Sequence, residues 1–285
     1  MANDPQAPLI SVITPVLDGE RFIEDAIQSV LRQEYSRFEH VVVDGGSTDG
    51  TVEILKRYPH LRWISEPDRG QSDAMNKGFE LSSGEVVVYL NADDYLEPNA
   101  FRAVVPHFQR GARFVVGRVN LSYPDGSIVL NDPRVEFEQM LRWWEPNAYC
   151  CNAVGYFYVR EVQEAVRFNV DRPIAMDLEF LLEAALRFRF TKIDDVLGTF
   201  RMLPGTKTVD TASREPEIMR SICDPYLERF DEAYVERYVW ARDRALEASS
   251  GAARDQQSGL FAGRLSTEVR RRARKIAADL RDRVR

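Results

Sequence analysis

Acidic side chains recur where runs of β-branched residues end. HVVVDGGSTDGT (residues 40–51) puts Asp44 after three valines and before two glycines, and EVVVYLNADDYLEP (residues 85–98) puts Asn91, Asp93 and Asp94 after a second such run. Carboxylates gathered in one crevice repel each other unless a cation or donor hydroxyls offset them, so the pattern points to a divalent metal and a hydroxylated ligand. Asp44 can accept hydrogen bonds from a base N–H or a ribose hydroxyl, and Gly45 and Gly46 let the backbone come close. The plainer alternative is a strand-to-helix turn in which Asp and Ser cap the helix. A cation on Asp93 or Asp94 would complete its shell with diphosphate oxygens and water, as magnesium and manganese do. Here the plainer alternative is an acidic turn ahead of Tyr95 and Pro98. Neither segment is a P-loop, since no Gly-Lys-Ser/Thr ending is present and GGSTDG does not match GxGxxG.

These residues need a scaffold that brings strand ends together. Apolar runs predict strands over residues 9–16, 40–43, 61–66 and 85–90, with helices between them over 19–33, 52–58 and 72–81. In the first helix Phe22, Ile23, Ala26, Ile27, Val30 and Leu31 fall on one face, and Asp49 or Thr51 can cap the second. Alternation of this kind implies a parallel sheet covered by helices, with a ligand crevice outside the carboxyl ends of the strands. The pattern changes after about residue 106. A hairpin is predicted around the turn at Pro124, Asp125 and Gly126, which makes the sheet mixed. A helix over 136–144, a short strand over 156–159, a helix over 175–187 and a strand with a loop over 190–203 follow. Beyond residue 216 the chain reads as mostly helical to residue 248, and residues 249–259 read as a hinge.

Order and spacing together bring out a likeness. VITPVLDGERFIEDAIQSVLRQEYSRFEHVVVDGGSTDGT and SEPDRGQSDAMNKGFELSSGEVVVYLNADD resemble the nucleotide-binding half of family 2 glycosyltransferases with the GT-A fold. The resemblance is nearly continuous over residues 10–98 and extends in weaker form to about residue 208. It implies an α/β fold: a Rossmann-like nucleotide-binding mixed sheet flanked by helices, with a C-terminal helical extension. Residues 1–212 would form the glycosyltransferase domain (1–106 the nucleotide-sugar half, 107–212 the acceptor half), and 213–285 the extension. It also implies a donor of UDP, GDP or TDP type, a divalent metal (manganese or magnesium), a hydroxyl acceptor and transfer of a hexose-type sugar with inversion.

Carried over position by position, Thr14 and Pro15 match the family's first nucleotide-contacting turn, and Asp44 matches the acid that binds base or ribose. Asp18 stands where Asn is usual. Asp68 and Arg69 match a loop pair near the donor, with Arg69 able to meet diphosphate as a fork of donors, or else to pair with Asp68 or Asp73. Asn91 holds the first position of the family's Asp-x-Asp motif, which leaves the metal to Asp93 or Asp94 and a ribose contact to the amide. Leu203 occupies a position where relatives carry His, with Arg201 or Lys207 as substitutes.

RPIAMDLEFLLEAALRF resembles the family's acceptor-side motif, in which an acid opening a helix acts as general base, and the match falls on Asp177. Without that likeness Asp177 would be a helix N-terminal acid facing the macrodipole. Glu179 sits about 200° around the same helix and is the lesser candidate. Trp143, Trp144 and Tyr156, with Tyr149, Phe157 and Tyr158 nearby, lie in the segment that lines the acceptor site in relatives, where aromatic faces would stack on sugar rings. Core packing is the alternative for each.

The rest of the chain sets limits. A net charge of −7 argues against general nucleic-acid binding, yet residues 264–285 hold nine Lys or Arg against three acids. Leu265, Val269, Ala273, Ile276, Leu280 and Val284 form a stripe there that fits an anionic lipid surface, a coiled coil between copies, or a solvated helix. Cys150, Cys151 and Cys223 have neither disulfide nor zinc spacing, and the amino terminus lacks the regions of a signal peptide, so a cytoplasmic protein is expected, or one peripheral at the inner face of the membrane. Two other functions share this layout. A sugar nucleotidyltransferase would open with a basic, Gly-rich phosphate loop, which ITPVLDGERF lacks; a noncatalytic sugar-nucleotide-binding relative would not need the retained acids.

Overall fold

The computed structural model describes residues 7–210 and 214–249. Strands β1 (Ile10–Val16), β2 (Phe38–Asp44), β3 (Leu61–Ser65) and β4 (Val86–Tyr89) pair in parallel in the order β3-β2-β1-β4. Helices α1 (Ile23–Leu31), α2 (Thr51–Leu55) and α3 (Gln71–Leu81) make the crossovers between them. β1 and β4 are buried at every position, as strands covered on both faces must be. Register then fixes the crevice: Val16 lies beside Asp44 and Asp44 beside Ser65, so the ends of β1, β2 and β3 meet at one edge.

α3 can lie against β1 and β2 because Gly78 faces them. A Cβ at that position would stand 2.3 Å from Cγ2 of Ile13 and 3.3 Å from Cγ2 of Val43.

Beyond β4 the sheet continues through β5 (Tyr95–Leu96), β6 (Phe114–Ser122), β7 (Ile128–Asn131), β8 (Tyr156–Val159) and β9 (Phe190–Arg201), giving nine strands in all. β8 runs antiparallel to β4 and to β6, whereas β9 runs parallel to β6, so the sheet is mixed as expected. β7 pairs antiparallel with β6 alone and forms an edge.

Helix α4 (Ala100–Gln109) is not among the elements that the sequence predicts. Phe101, Val104 and Val105 turn inward from it, and Pro106 sits near its carboxyl end, where few helical hydrogen bonds remain to be lost. α5 (Phe137–Leu141) is shorter than its predicted span, α6 (Arg160–Ala165) follows β8, and α7 (Met176–Ala185) opens the acceptor-side segment. After β9 come α8 (Lys207–Asp210), α9 (Glu215–Cys223) and α10 (Glu232–Ser249). α10 belongs to the core: Val235, Tyr238 and Val239 are buried, and the Tyr238 hydroxyl donates to the Leu141 carbonyl at 2.9 Å. The basic stripe at 264–285 and nearly all of the expected hinge lie outside the described residues.

Candidate active site

Two cavities adjoin at the carboxyl edge of the sheet. The first, about 410 Å³, is bounded by the ends of β1 and β4, the start of α3 and the segment after β9. Pro15, Asp18, Asp68, Asn91 and Asp93, five of the residues singled out from the sequence, line it, and so do Gln71 and Lys207. Asp18 adopts a left-handed backbone (φ 49°), unusual for a residue other than glycine. Its Oδ1 accepts from the Thr48 amide at 2.8 Å, and its own amide donates to Ser47 Oγ at 2.7 Å. The loops after β1 and β2 are thereby tied together. Asp68 accepts from the Gly70 amide at 2.7 Å, which fixes the entry to α3 beside the cavity.

Three of the expected donor residues stand off the cavity wall. Asp44 is fully buried; it accepts from Ser65 Oγ at 2.5 Å, from the Ser47 hydroxyl, and from the amides of Gly46 and Ser47 at 3.3 and 3.1 Å. It organises the turn from within. Thr14 bonds His40 Nε2 at 2.9 Å beneath the sheet edge, where burial and the nearby His60 bring the His40 pKa down to about 3. Arg69 turns outward and pairs with Asp73 at 3.5 Å.

The turn after β4 divides its carboxylates. Asp94 is fully buried and accepts from Asn152 Nδ2 at 2.8 Å, from Asn91 Nδ2 at 3.0 Å and from the Arg201 amide at 3.0 Å. Burial raises its pKa, and the charge of Asp93 raises it further. Asp93 faces the first cavity; burial raises its pKa too, while Arg201 opposes the rise. Asn91 takes a 2.8 Å bond from Gln71 Nε2, so the amide at the head of the motif braces α3 against the turn. Arg201 is itself anchored, to the Asp93 carbonyl, to Asp25 at 2.9 Å and over the Phe22 ring.

Among the described residues no three His, Cys, Asp or Glu side chains gather into a cluster able to hold a metal. A cation that keeps water and takes phosphate oxygens needs only one or two protein carboxylates, and Asp93 offers one to the cavity. The donor set therefore fits a magnesium or manganese ion bound together with a diphosphate.

The second cavity, about 590 Å³, contains Asp177. Ala175 precedes α7 in a left-handed conformation (φ 55°), and Asp177 follows in the first turn. The Tyr156 hydroxyl donates to Asp177 Oδ1 at 2.5 Å. Desolvation by the protein packed around this partly buried carboxyl pushes its pKa up to about 6, although the Tyr156 bond pulls the other way. Phe200 and Thr208 line both cavities, so the end of β9 and the segment after it form a common wall.

Of the expected acceptor aromatics, Tyr149 lines this cavity and Trp143, Trp144, Tyr156, Phe157 and Tyr158 do not. Tyr156 is fully buried and reaches it only through its hydroxyl on Asp177. Trp143 packs edge-on against Trp144, which packs against Tyr238 of α10. Glu179 pairs with Arg172 at 2.9 Å. Apolar side chains take the vacated places, Leu178 and Met202 among them. Sequence reading did not single out Gln71, Phe200 or Thr208. Their only signal lay in adjacency to recognised segments, since none has a chemistry that stands out alone.

Comparison with known proteins bears on the family and the fold. The pattern described as "Glycosyl transferase family 2" matches residues 11–167. An uncharacterized glycosyltransferase, EpsJ of Bacillus subtilis, is 28% identical over 70% of this chain and 63% of its own. The hyaluronan synthase of Pasteurella multocida is 30% identical over 71% of this chain and 21% of its own. The chain thus spans less than two thirds of the length of the curated relatives it matches, from 16% to 63%. Among solved structures, residues 1–349 of S. aureus TarS in complex with UDP-GlcNAc superpose with a TM-score of 0.64 at 17% identity, over 95% of this chain and 88% of that one. A mannosyltransferase of Pyrobaculum calidifontis in complex with GDP-Man and Mn2+ gives 0.57 at 22% identity, over 97% and 86%. The fold is the GT-A fold of these glycosyltransferases.

Proposed function

Because the chain belongs to glycosyl transferase family 2, we propose that it moves a sugar from a nucleoside diphosphate in the first cavity to a hydroxyl in the second, inverting the anomeric centre. The observation that carries this reading is the shared wall at Phe200 and Thr208: a polar, acid-lined cavity opens beside one that holds two carboxylates, Glu215 and Asp177, the latter at the helix start that matches the family's base. The ligands named for structurally similar proteins, UDP-GlcNAc and GDP-Man with Mn2+, support a nucleotide-sugar donor.

In this mechanism Asp18, Asp68 and Asn91 hold the nucleoside and its ribose by accepting hydrogen bonds, and Lys207 supplies positive charge for the diphosphate. Asp44 acts from behind, fixing the glycine turn against which the base rests. Asp93 would hold the divalent cation, which, when bound, neutralises charge on the departing diphosphate. Asp177 accepts the proton of the acceptor hydroxyl. The acceptor oxygen bonds to the anomeric carbon as the bond from that carbon to the phosphate oxygen breaks, and the electron pair leaves with the diphosphate. Attack from the opposite face inverts the centre.

A carboxyl near pKa 6 is ionised at neutral pH yet is a stronger base than an ordinary aspartate, which suits it to this proton transfer. Mass spectrometry of products from a panel of nucleotide sugars and hydroxyl acceptors tests the proposal. Absence of both transfer and nucleotide binding across the panel overturns it.

A further inference from the structure

The two cavities differ in chemistry. The first carries Asp18, Asp68, Gln71, Asn91, Asp93 and Lys207, a density of polar groups suited to a nucleotide. The second surrounds Asp177 with Leu121, Ile174, Leu178, Met202, Val209 and Met219. None of these six donates a hydrogen bond from its side chain. Tyr123, Tyr149, Thr208 and Glu215 give the same cavity a polar part. A sugar chain laid along the six apolar side chains would leave hydroxyls without partners, which is costly, whereas a hydrocarbon would gain from every carbon covered.

Two further observations point the same way. Of the aromatic rings expected to stack on a sugar face, Trp143, Trp144 and Tyr156 are packed against other rings of the core, and Tyr149 remains at the cavity. The apolar wall also continues outward. Leu121 of β6 lies directly across from Val129 of β7, and residues paired in this way share one face of the sheet. Val129 is 51% exposed, and Val209 at the rim of the cavity is 37% exposed; Ile128 and Leu130 face the other side of the strand.

We infer that the acceptor is an amphiphile: a hydroxylated head joined to a hydrocarbon chain, with the head at Asp177 and the chain along the Leu178, Met202 and Val209 wall toward β7. This rests on the reading of Asp177 as the base of a glycosyl transfer, and it narrows the acceptor to one chemical class.

The test measures binding of n-alkyl glucosides of increasing chain length by calorimetry, below their micelle concentrations and with UDP or GDP and manganese present. Each added methylene is expected to tighten Kd about fourfold until the cavity is filled. Val209→Glu, a substitution at an exposed rim position, should flatten that dependence while its unfolding temperature stays close to that of the parent. A Kd that does not change with chain length, or a chain-length gain untouched in Val209→Glu, overturns the inference. Nucleotide binding, measured separately, tells the two failures apart. Loss of it counts against glycosyl transfer itself, whereas tight nucleotide binding with flat alkyl dependence counts only against the amphiphilic acceptor.

Discussion

The Tyr156 hydroxyl and the Asp177 carboxylate stand 2.5 Å apart, joining the innermost ring of the sheet to the acid at the cavity. The bond stabilises the ionised carboxylate against the burial that disfavours it. The same contact fixes the direction in which the carboxylate faces, because the Tyr156 ring is packed against both Phe114 and Phe180.

Asp177→Asn should lower the turnover of sugar transfer by roughly 10²–10⁴, the usual cost of losing a general base. Nucleotide binding should persist, since Asp177 does not line the first cavity. Near-normal turnover in this variant would move the base elsewhere.

The pH profile follows from the same carboxyl. A base must be unprotonated to act, so kcat/KM should fall as pH drops through about 6. Tyr156→Phe removes a bond that holds the pKa down, so its acid limb should move to higher pH. An unmoved limb in a folded Tyr156→Phe protein would break the link between the two residues.

Adjacent aspartates should respond differently. Asp94→Leu strands the amides of Asn91 and Asn152 and the Arg201 N–H, at about 1–3 kcal/mol for each donor left unpaired. Thermal unfolding should drop by several degrees. Asp93→Asn should stay within about 0.5 kcal/mol of the parent in stability while losing manganese-dependent nucleotide binding. Equal effects on stability would contradict the division of roles.

Gly78→Ala sets two effects against each other. Alanine favours a helix interior by about 1 kcal/mol over glycine. Here its Cβ would stand 2.3 Å from the buried Ile13, and overpacking of that kind costs roughly 1–3 kcal/mol. The clash should win, and chemical denaturation should show a less stable protein. A gain in stability would mean that α3 can slide on β1.

The first hundred residues were readable because β1, β2 and β4 are rich in β-branched apolar residues and are separated by helical spacing. The carboxyl edge followed from that alternation. α4 was hidden because Pro106 resembles a boundary, although Phe101, Val104 and Val105 already carried the helical pattern. Residue type alone could not show which way Trp143 and Tyr156 face, since aromatic rings suit a core and a sugar site equally. Nor could it separate Asp93 from Asp94, because that depends on Asn152 and Arg201, which the fold brings in from distant strands and loops.

Phe200 and Thr208 bound both cavities, and this has a thermodynamic consequence. Any free energy by which an occupant of one cavity repositions that partition appears in the affinity of the other. Linkage requires the effect to be mutual: if a nucleotide tightens acceptor binding by some factor, the acceptor must tighten nucleotide binding by the same factor. On the proposed assignment of the two cavities, a loop after β9 that shifts with either ligand would make the affinities of donor and acceptor interdependent, with no third site involved.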